Sequence, residues 1–594
     1  MKVDDQPTDI ASNSGKLNEE QRKASVSQER RIAVIAGPGT GKTKTLISRL
    51  QYLLNEKKVL PEEITAVTFT NQAAGEIRER IKNVCGDHEN TASLQVGTFH
   101  AICLRFLKER GVRVVLADEK TCEDIAKEIL AQYKMDEESG EFISQVQQWK
   151  WGMTSGTSKV QTMEPHKIVA YCAYEDAKKE HNLFAFEDLL LETVRMLKDH
   201  PEKTEWRKPF RYLLIDEFQD ISPLQYELVK EWNQGGESLF VIGDPDQAIY
   251  GFRGSDSHCF ERMKEDFPEM ETIRLYENYR STPQILNSAL AVISENPGER
   301  RVLHPNRQGN TTVRLMKTTG EMAEAIAVAK EIDRMTGGIG MLEAQRNLEE
   351  KERKIRSFRE IAVLYRTHRQ GELLESCLKK EGIPYVVSGR ESFMDDEMVR
   401  DSIAFFRYLL DPSQDTAKEK AKRLLNGGNE DKLSDLIFDE TVRLWKEKIE
   451  KKRPADFVNT WVESMGMKKN KAMEKLSQMA VCYETVEEMV NMLELGVESD
   501  LKRCGDKQYT SEAVTLMTLH GSKGLEFPAV ILYGAEQGKI PLESDYYETD
   551  QEEERRLLYV GDDKSERKEL VLTVAEEESP FLAGLSGDHL QKRK

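Results

Sequence analysis

The sequence predicts an α/β chain: two lobes with parallel sheets, each interrupted by a mostly helical insert. Three observations predict it. Residues 31–96 and 211–275 alternate short apolar runs with amphipathic helical stretches, the pattern of parallel strands covered on both faces. The same alternation returns further on, with strand-like runs at 312–316, 360–365, 385–387, 513–517 and 529–533. Residues 98–206 and 391–508 carry helical periodicity without such strands. The expected boundaries are 1–97 with 207–275 for the first lobe and 98–206 for its insert. The second lobe then takes 276–390 with 509–594, and a short insert takes 391–508.

Size and composition fit this plan. The chain has 594 residues, room for roughly three to five domains. Charged residues make up 32% and hydrophobic ones 39%, as in a globular protein in water. No apolar run reaches the ~18 residues that span a bilayer. The opening MKVDDQPTDIASNSGK is polar, with neither the apolar core nor the cleavage site of a signal peptide; a short flexible tail is expected there. The eight cysteines form no CxxC pair and no zinc-finger spacing. They read as free thiols in a reducing compartment, which points to the cytoplasm. Net charge is −19. That disfavours strong non-specific duplex binding, but leaves a groove built from backbone amides, hydroxyls and aromatic faces. Residues 341–357 read as a charged, solvated helix or arm.

In the first lobe, the run IAVI leads into AGPGTGKT (36–43) and then a helix. Strand, Gly-rich loop and helix are the context that a P-loop requires. The glycines allow backbone N–H groups to close on a polyphosphate, and the helix N-terminus adds its dipole. The cradle is Ala36, Gly37, Pro38, Gly39, Thr40, Gly41, Lys42, Thr43 and Lys44. Ala36 stands where the general motif has glycine. Lys42 should reach the β- and γ-phosphates of ATP, and Thr43 should ligate Mg2+.

The apolar run YLLI then ends in Asp216 and Glu217, at the strand end where open α/β sheets bind ligands. Asp216 is expected to hold Mg2+ and Glu217 to polarise the attacking water as general base. A third strand ends in GDPDQAIYGFRGS, placing Gln247 to contact a γ-phosphate or its water.

These pieces occur in the order seen in UvrD/Rep-type superfamily 1 helicases, and the chain resembles that family along most of its length. LNEEQRKA (17–24) resembles the adenine-reading Q motif, with Gln21 as the base contact. VTFTNQAAGEIRERI (67–81) is similar to the first strand-contact motif, with Gln72 in place of the usual Lys, and VGTFHAICLRFL (96–107) to the next. FAFEDLL, DEFQDISPLQ, GDPDQAIYGFRGS, YENYRSTPQI, IAVLYRTHRQ, GIPYVVSGR, VTLMTLHGSKGLEFPAVIL and EEERRLLYVG follow in family order.

The resemblance implies two RecA-like P-loop NTPase lobes and an ATP-dependent, DNA-stimulated motor running 3′ to 5′ on single-stranded DNA or at single-strand/duplex junctions, as monomer or weak dimer. DNA repair, replication or recombination is its setting. By the same resemblance Arg280 contacts the γ-phosphate, Tyr279 stacks on adenine, Glu526 touches the ribose, and Arg253 bridges the lobes. Phe69, Thr70, Asn71, Thr98, His100, Tyr250, Phe252, Thr518 and His520 form the strand-contacting set. Aromatic faces stack on any base without reading sequence, and hydroxyls donate to phosphates.

Two features depart from the family. Its sixth motif continues with an arginine that reaches the γ-phosphate; here the chain reads YVGDDKSERKELVLT, with Lys564 at that position. A lysine is a point charge and does not reproduce a planar, five-donor guanidinium. The second insert is also short. Two other readings therefore stay open from sequence: a nucleotide-gated DNA-binding protein, and a translocase that strips proteins from DNA with weak or no unwinding.

Overall fold

A computed structural model describes residues 17–85, 93–117, 119–155, 165–180, 182–298, 301–308, 313–337, 356–388, 394, 396–412, 415–426, 435–483, 485–495, 512–543, 549–563, 565–585 and 590–593. The expected N-terminal tail, most of the charged arm at 341–357, and Lys564 lie outside them.

Six strands form the first sheet: β1 (Arg31–Ala36), β2 (Ile64–Val67), β3 (Gln95–Gly97), β4 (Tyr212–Ile215), β5 (Ser238–Gly243) and β6 (Glu271–Leu275). Their spatial order is β3-β2-β4-β5-β1-β6, and every pairing is parallel. Alternate residues of β1 explain why its run is apolar throughout. Ile32 and Val34 pack into one core beneath the sheet, with Leu46 and Leu50 of the helix Lys42–Gln51. Ala33 faces the opposite core, which holds Phe99, Phe218 and Trp232. A strand buried on both faces has no polar side to show.

The second sheet holds β7 (Val313–Lys317), β8 (Ile361–Tyr365), β9 (Tyr385–Val387), β10 (Val514–Thr518), β11 (Phe527–Leu532), β12 (Ser565–Val574) and β13 (Leu590–Arg593). Their order is β9-β10-β8-β11-β12-β7-β13, again all parallel. Ala362 and Leu364 of β8 face one core, and Ile361, Val363 and Tyr365 the other. The predicted α/β class with parallel sheets is what the chain forms.

The first helical stretch differs from expectation in one respect. It contains a two-residue parallel pairing of Val115–Leu116 with Leu183–Phe184, too short to leave an alternating pattern. A buried quartet of charges supports it, in which Lys150 and Lys178 each pair with both Glu175 and Asp188. The stretch 396–495 is helical where described. It closes around its own core, with Phe405 and Trp461 stacked at 4.7 Å. No described helix is long and apolar enough to cross a membrane.

Candidate nucleotide cleft and strand-binding surface

The P-loop conformation follows from its glycines. Gly39 and Gly41 take positive φ of +66° and +85°, which L residues with a Cβ rarely adopt. Gly41 is the N-cap of the helix that begins at Lys42, and no side chain caps it. The first helical amides thus face the loop, where the dipole favours an anion. Thr40 Oγ1 donates to Gly37 O at 2.7 Å, and Lys42 Nζ to Ala36 O at 3.4 Å. Thr43 and Lys44 are half-buried in the first turn.

Gln21 is buried against this loop. Its Nε2 donates to Thr40 O at 2.8 Å, and its Oε1 accepts from Asn18 N at 3.1 Å. Asn18 Nδ2 in turn donates to the Tyr279 hydroxyl at 3.1 Å.

The second-lobe segment after β6 closes directly on the loop. Asn278 Nδ2 donates to Pro38 O at 2.8 Å and Tyr279 N to Gly39 O at 2.9 Å. A Cβ built on Gly39 would come 2.5 Å from Arg280 Cβ. Arg280 is ion-paired with Glu526, and Tyr279 is 41% exposed beside them.

Asp216 N continues the sheet by donating to Val67 O at 2.9 Å. The Asp216 carboxylate accepts from Glu217 N at 3.0 Å. Burial pushes that carboxyl well above the usual range, and the Glu217 charge adds to the effect. Glu217 sits at φ +50°, a strained position for a non-glycine residue that recurs at functional sites. Gln219 orders the group: its Nε2 donates to Glu217 Oε2 at 2.6 Å, and its Oε1 accepts from Asp244 N at 2.9 Å. Gln247 is buried immediately after the Asp244–Asp246 turn.

An aromatic run crosses from this cleft to solvent. Phe69 stacks on Tyr250 at 5.3 Å, Tyr250 lies 6.1 Å from Phe252, and Phe252 meets His520 edge-on at 5.2 Å. The run thus spans both lobes. Phe252 is 64% exposed, whereas Tyr250 is buried beneath it.

Other residues of the expected strand-contacting set have partners within the protein. The ring contact of His100 is with Phe186, edge-on at 5.8 Å, and burial pushes His100 down to about 4, leaving it neutral. Thr98 and Thr70 accept from Ala101 N and Ala73 N, as helix-start hydroxyls do. Thr518 accepts from Gly521 N at 3.1 Å. Asn71 begins the helix Asn71–Cys85. The side chain of Arg253 is outside the described set.

Sequence reasoning missed several residues that hold this junction: Asn278, Gln219, Lys523, Glu553 and Arg301. Glu553 Oε1 accepts from Gly251 N at 3.0 Å. Asn278 and Lys523 lie inside quoted motifs, yet a lone polar residue gives no sign of a partner hundreds of positions away.

Two parallel-sheet lobes that meet at a Gly-rich loop, with paired carboxylates and an aromatic run at the junction, define a two-lobed P-loop helicase. The family model of the UvrD/REP helicase N-terminal domain matches residues 17–268. That of the UvrD-like helicase C-terminal domain matches 273–440 and 436–577. Proteins named ATP-dependent DNA helicase PcrA are similar over nearly the whole chain. That of Staphylococcus epidermidis is 28% identical over 650 residues, covering 97% of this chain and 85% of the relative. That of Staphylococcus aureus is 28% identical over 647 residues, with the same coverage. The chain belongs to the UvrD-like helicase family.

Proposed function

We propose that this chain is an ATP-dependent DNA helicase that moves 3′ to 5′ along single-stranded DNA in the cytoplasm, loading at single-strand/duplex junctions. The observation that carries the reading is the direct closure of Asn278, Tyr279 and Arg280 on the P-loop. A triphosphate seated on the loop is then within the embrace of both lobes.

In this reading Lys42 and the backbone N–H groups of Gly39–Thr43 bind the phosphates, and Arg280 leaves Glu526 to reach the γ-phosphate. Gln21 and Tyr279 flank the base, and Glu526 takes the ribose. Glu217 orients and deprotonates the water, and Gln247 senses the terminal phosphate. Arg253 adds positive charge from the first lobe. Thr43 and Asp216 suit Mg2+: both offer hard oxygen donors, and the Asp216 carboxyl, raised by its burial and by the neighbouring Glu217 charge, gains from a cation. Bound there, Mg2+ neutralises charge on the phosphate oxygens.

The aromatic run of Phe69, Tyr250, Phe252 and His520 gives bases a stacking face. Thr70 and Asn71 follow Phe69 in sequence and Thr518 precedes His520; Thr98 and His100 complete the strand-contacting set. Lobe closure tightens that grip and reopening releases it, the order–disorder logic of NTP switches. The protein acts as monomer or weak dimer.

A second reading is favoured by Lys564 standing where the family has arginine: ATP gates DNA binding or protein stripping, with little unwinding. ATP turnover with and without single-stranded DNA tests both, on the wild type, Lys42→Ala and Lys564→Arg. The motor reading expects stimulation that vanishes in Lys42→Ala. Unstimulated turnover, or turnover indifferent to Lys42, sinks it. Faster turnover in Lys564→Arg, alongside strand displacement absent from the wild type, supports the second reading.

A further inference from the structure

The chain crosses the lobe junction more than once. After β6 it enters the helix Pro283–Ile293 and then turns back, so that residues 301–307 run beside 276–279. His304 N donates to Tyr276 O at 2.7 Å, Asn306 N to Asn278 O at 2.8 Å, and Arg307 Nε to Tyr279 O at 2.7 Å. This returning segment lies on the P-loop, since a Cβ built on Gly37 would come 2.9 Å from Leu303 Cδ1.

Arg301 stands at the start of the segment. Its Nε donates to both carboxylate oxygens of Asp246, at 3.1 and 2.9 Å, and its Nη2 to Oδ1 at 2.8 Å. Nη1 donates to Asn296 O at 2.8 Å and Nη2 to Pro297 O at 3.2 Å. Asp246 is the middle residue of the single turn Pro245–Gln247, and its N–H is held by Asp244 Oδ1 at 3.1 Å. The far side of the clamp is itself anchored. Asn296 Nδ2 donates to Glu552 O at 3.0 Å, and Arg555 Nη1 to Asn296 Oδ1 at 2.5 Å. One planar side chain therefore fastens the turn that ends in Gln247 to the second lobe.

We propose that Arg301 is a positioning residue for hydrolysis: its two-point grip on Asp246 from across the lobe junction sets the orientation of Gln247 at the nucleotide. The inference rests on the role given to Gln247 above. It follows from geometry that a fork holding both carboxylate oxygens fixes rotation of the Asp246 turn, where a single contact leaves it free. A lysine keeps the charge and loses that constraint. Small misplacements of a catalytic group cost large factors in rate.

The test is steady-state ATP turnover at saturating single-stranded DNA for the wild type, Lys42→Ala, Arg301→Lys, Arg301→Ala, Gln247→Ala and the Arg301→Ala/Gln247→Ala pair, with thermal midpoints alongside. Both Arg301 variants are expected to lower kcat about 10-fold or more, with KM for ATP moved by less than about 3-fold. In the Gln247→Ala background, Arg301→Ala is expected to cost less than about 2-fold further, because coupled residues are not additive. Wild-type turnover in Arg301→Lys overturns the inference, as does an equal cost of Arg301→Ala in both backgrounds. A collapse of the thermal midpoint in both Arg301 variants also overturns it, as a purely structural role. Full turnover in Gln247→Ala leaves Arg301 nothing to position and overturns it while the motor reading stands. Turnover indifferent to Lys42 overturns the motor reading itself, and the inference with it.

Discussion

Lys523 Nζ donates to Asp220 Oδ1 at 2.6 Å, joining residues 303 positions apart across the lobe junction. The two side chains are only 5% and 0% exposed. The same ammonium donates to Gln247 O at 2.5 Å and lies 4.8 Å from the Tyr250 ring centre. It thus touches the carboxylate loop, the turn at Gln247 and the aromatic run together. Burial pushes the Asp220 carboxyl up to about 6, against the pull of Lys523.

Removing one member of a buried pair leaves an uncompensated charge, at about 3–5 kcal/mol. Lys523→Met is therefore expected to lower the urea or thermal midpoint. Adding Asp220→Asn should recover most of the loss, because the doubly neutral junction buries no charge. A double variant as unstable as Lys523→Met would show that packing, not charge, holds this contact.

Phe252 separates strand binding from nucleotide binding. It is exposed above buried Tyr250 and edge-on to His520. A base stacked on such a face contributes ~1–3 kcal/mol. Phe252→Ala should weaken binding of a fluorescent single-stranded oligonucleotide by that amount, with the affinity for ATP and the thermal midpoint little changed. Unaltered oligonucleotide affinity would remove Phe252 from the strand path.

Gly39→Ala tests the closure of the second lobe on the P-loop. The added Cβ would meet Arg280 Cβ at 2.5 Å and would occupy φ +66°. Both effects oppose the Pro38–Asn278 and Gly39–Tyr279 bonds, and strain of this kind costs on the order of 1–3 kcal/mol. Nucleotide affinity, read by titration with a fluorescent ATP analogue, should fall at least tenfold. Gly75→Ala is the control, since a Cβ there meets nothing within 4 Å. Equal behaviour of the two variants would contradict the close approach.

What could be read from sequence followed from locality. The apolar run of β1, the glycines of 37–41 and the strand ending at Asp216 are contiguous features whose chemistry is complete within a few residues. The aromatic run is legible only through the family resemblance, which names Phe69, Tyr250, Phe252 and His520 alike; Tyr250 and Phe252 share one motif, while Phe69 and His520 lie far from it in sequence. The clamps were not legible. Asn278 to Pro38, Lys523 to Asp220 and Arg301 to Asp246 are long-range bonds between common polar residues, and only the fold brings them together. The strand β13 escaped notice for another reason. It reads LQKR and pairs only with β7 at the sheet edge, where polar residues are tolerated and no apolar alternation is needed.

The second lobe contains a carboxyl whose titration should be visible in stability. Glu324 is fully buried behind β12. Its Oε1 accepts from Thr573 Oγ1 at 2.5 Å and from Gly534 N at 3.0 Å. Its Oε2 meets no hydrogen-bond donor among the described residues. Burial pushes this group from an ordinary 4.5 up to about 7, with the Glu536 charge adding and Thr573, Lys539 and Gly534 opposing. The folded chain therefore keeps a proton that the unfolded chain has already released between those two values. Stability from this group is present below the ordinary value and is lost as pH rises toward about 7, after which it is flat. Glu324→Gln holds the same shape without the charge, so it removes this dependence. The variant should match the wild type below the ordinary carboxylate range and exceed it by on the order of 1–3 kcal/mol above pH 7. Urea midpoints measured across pH read the difference directly. Parallel curves for the two proteins would show that Glu324 titrates as it does in the unfolded chain, which burial with Oε2 lacking a donor among the described residues does not allow.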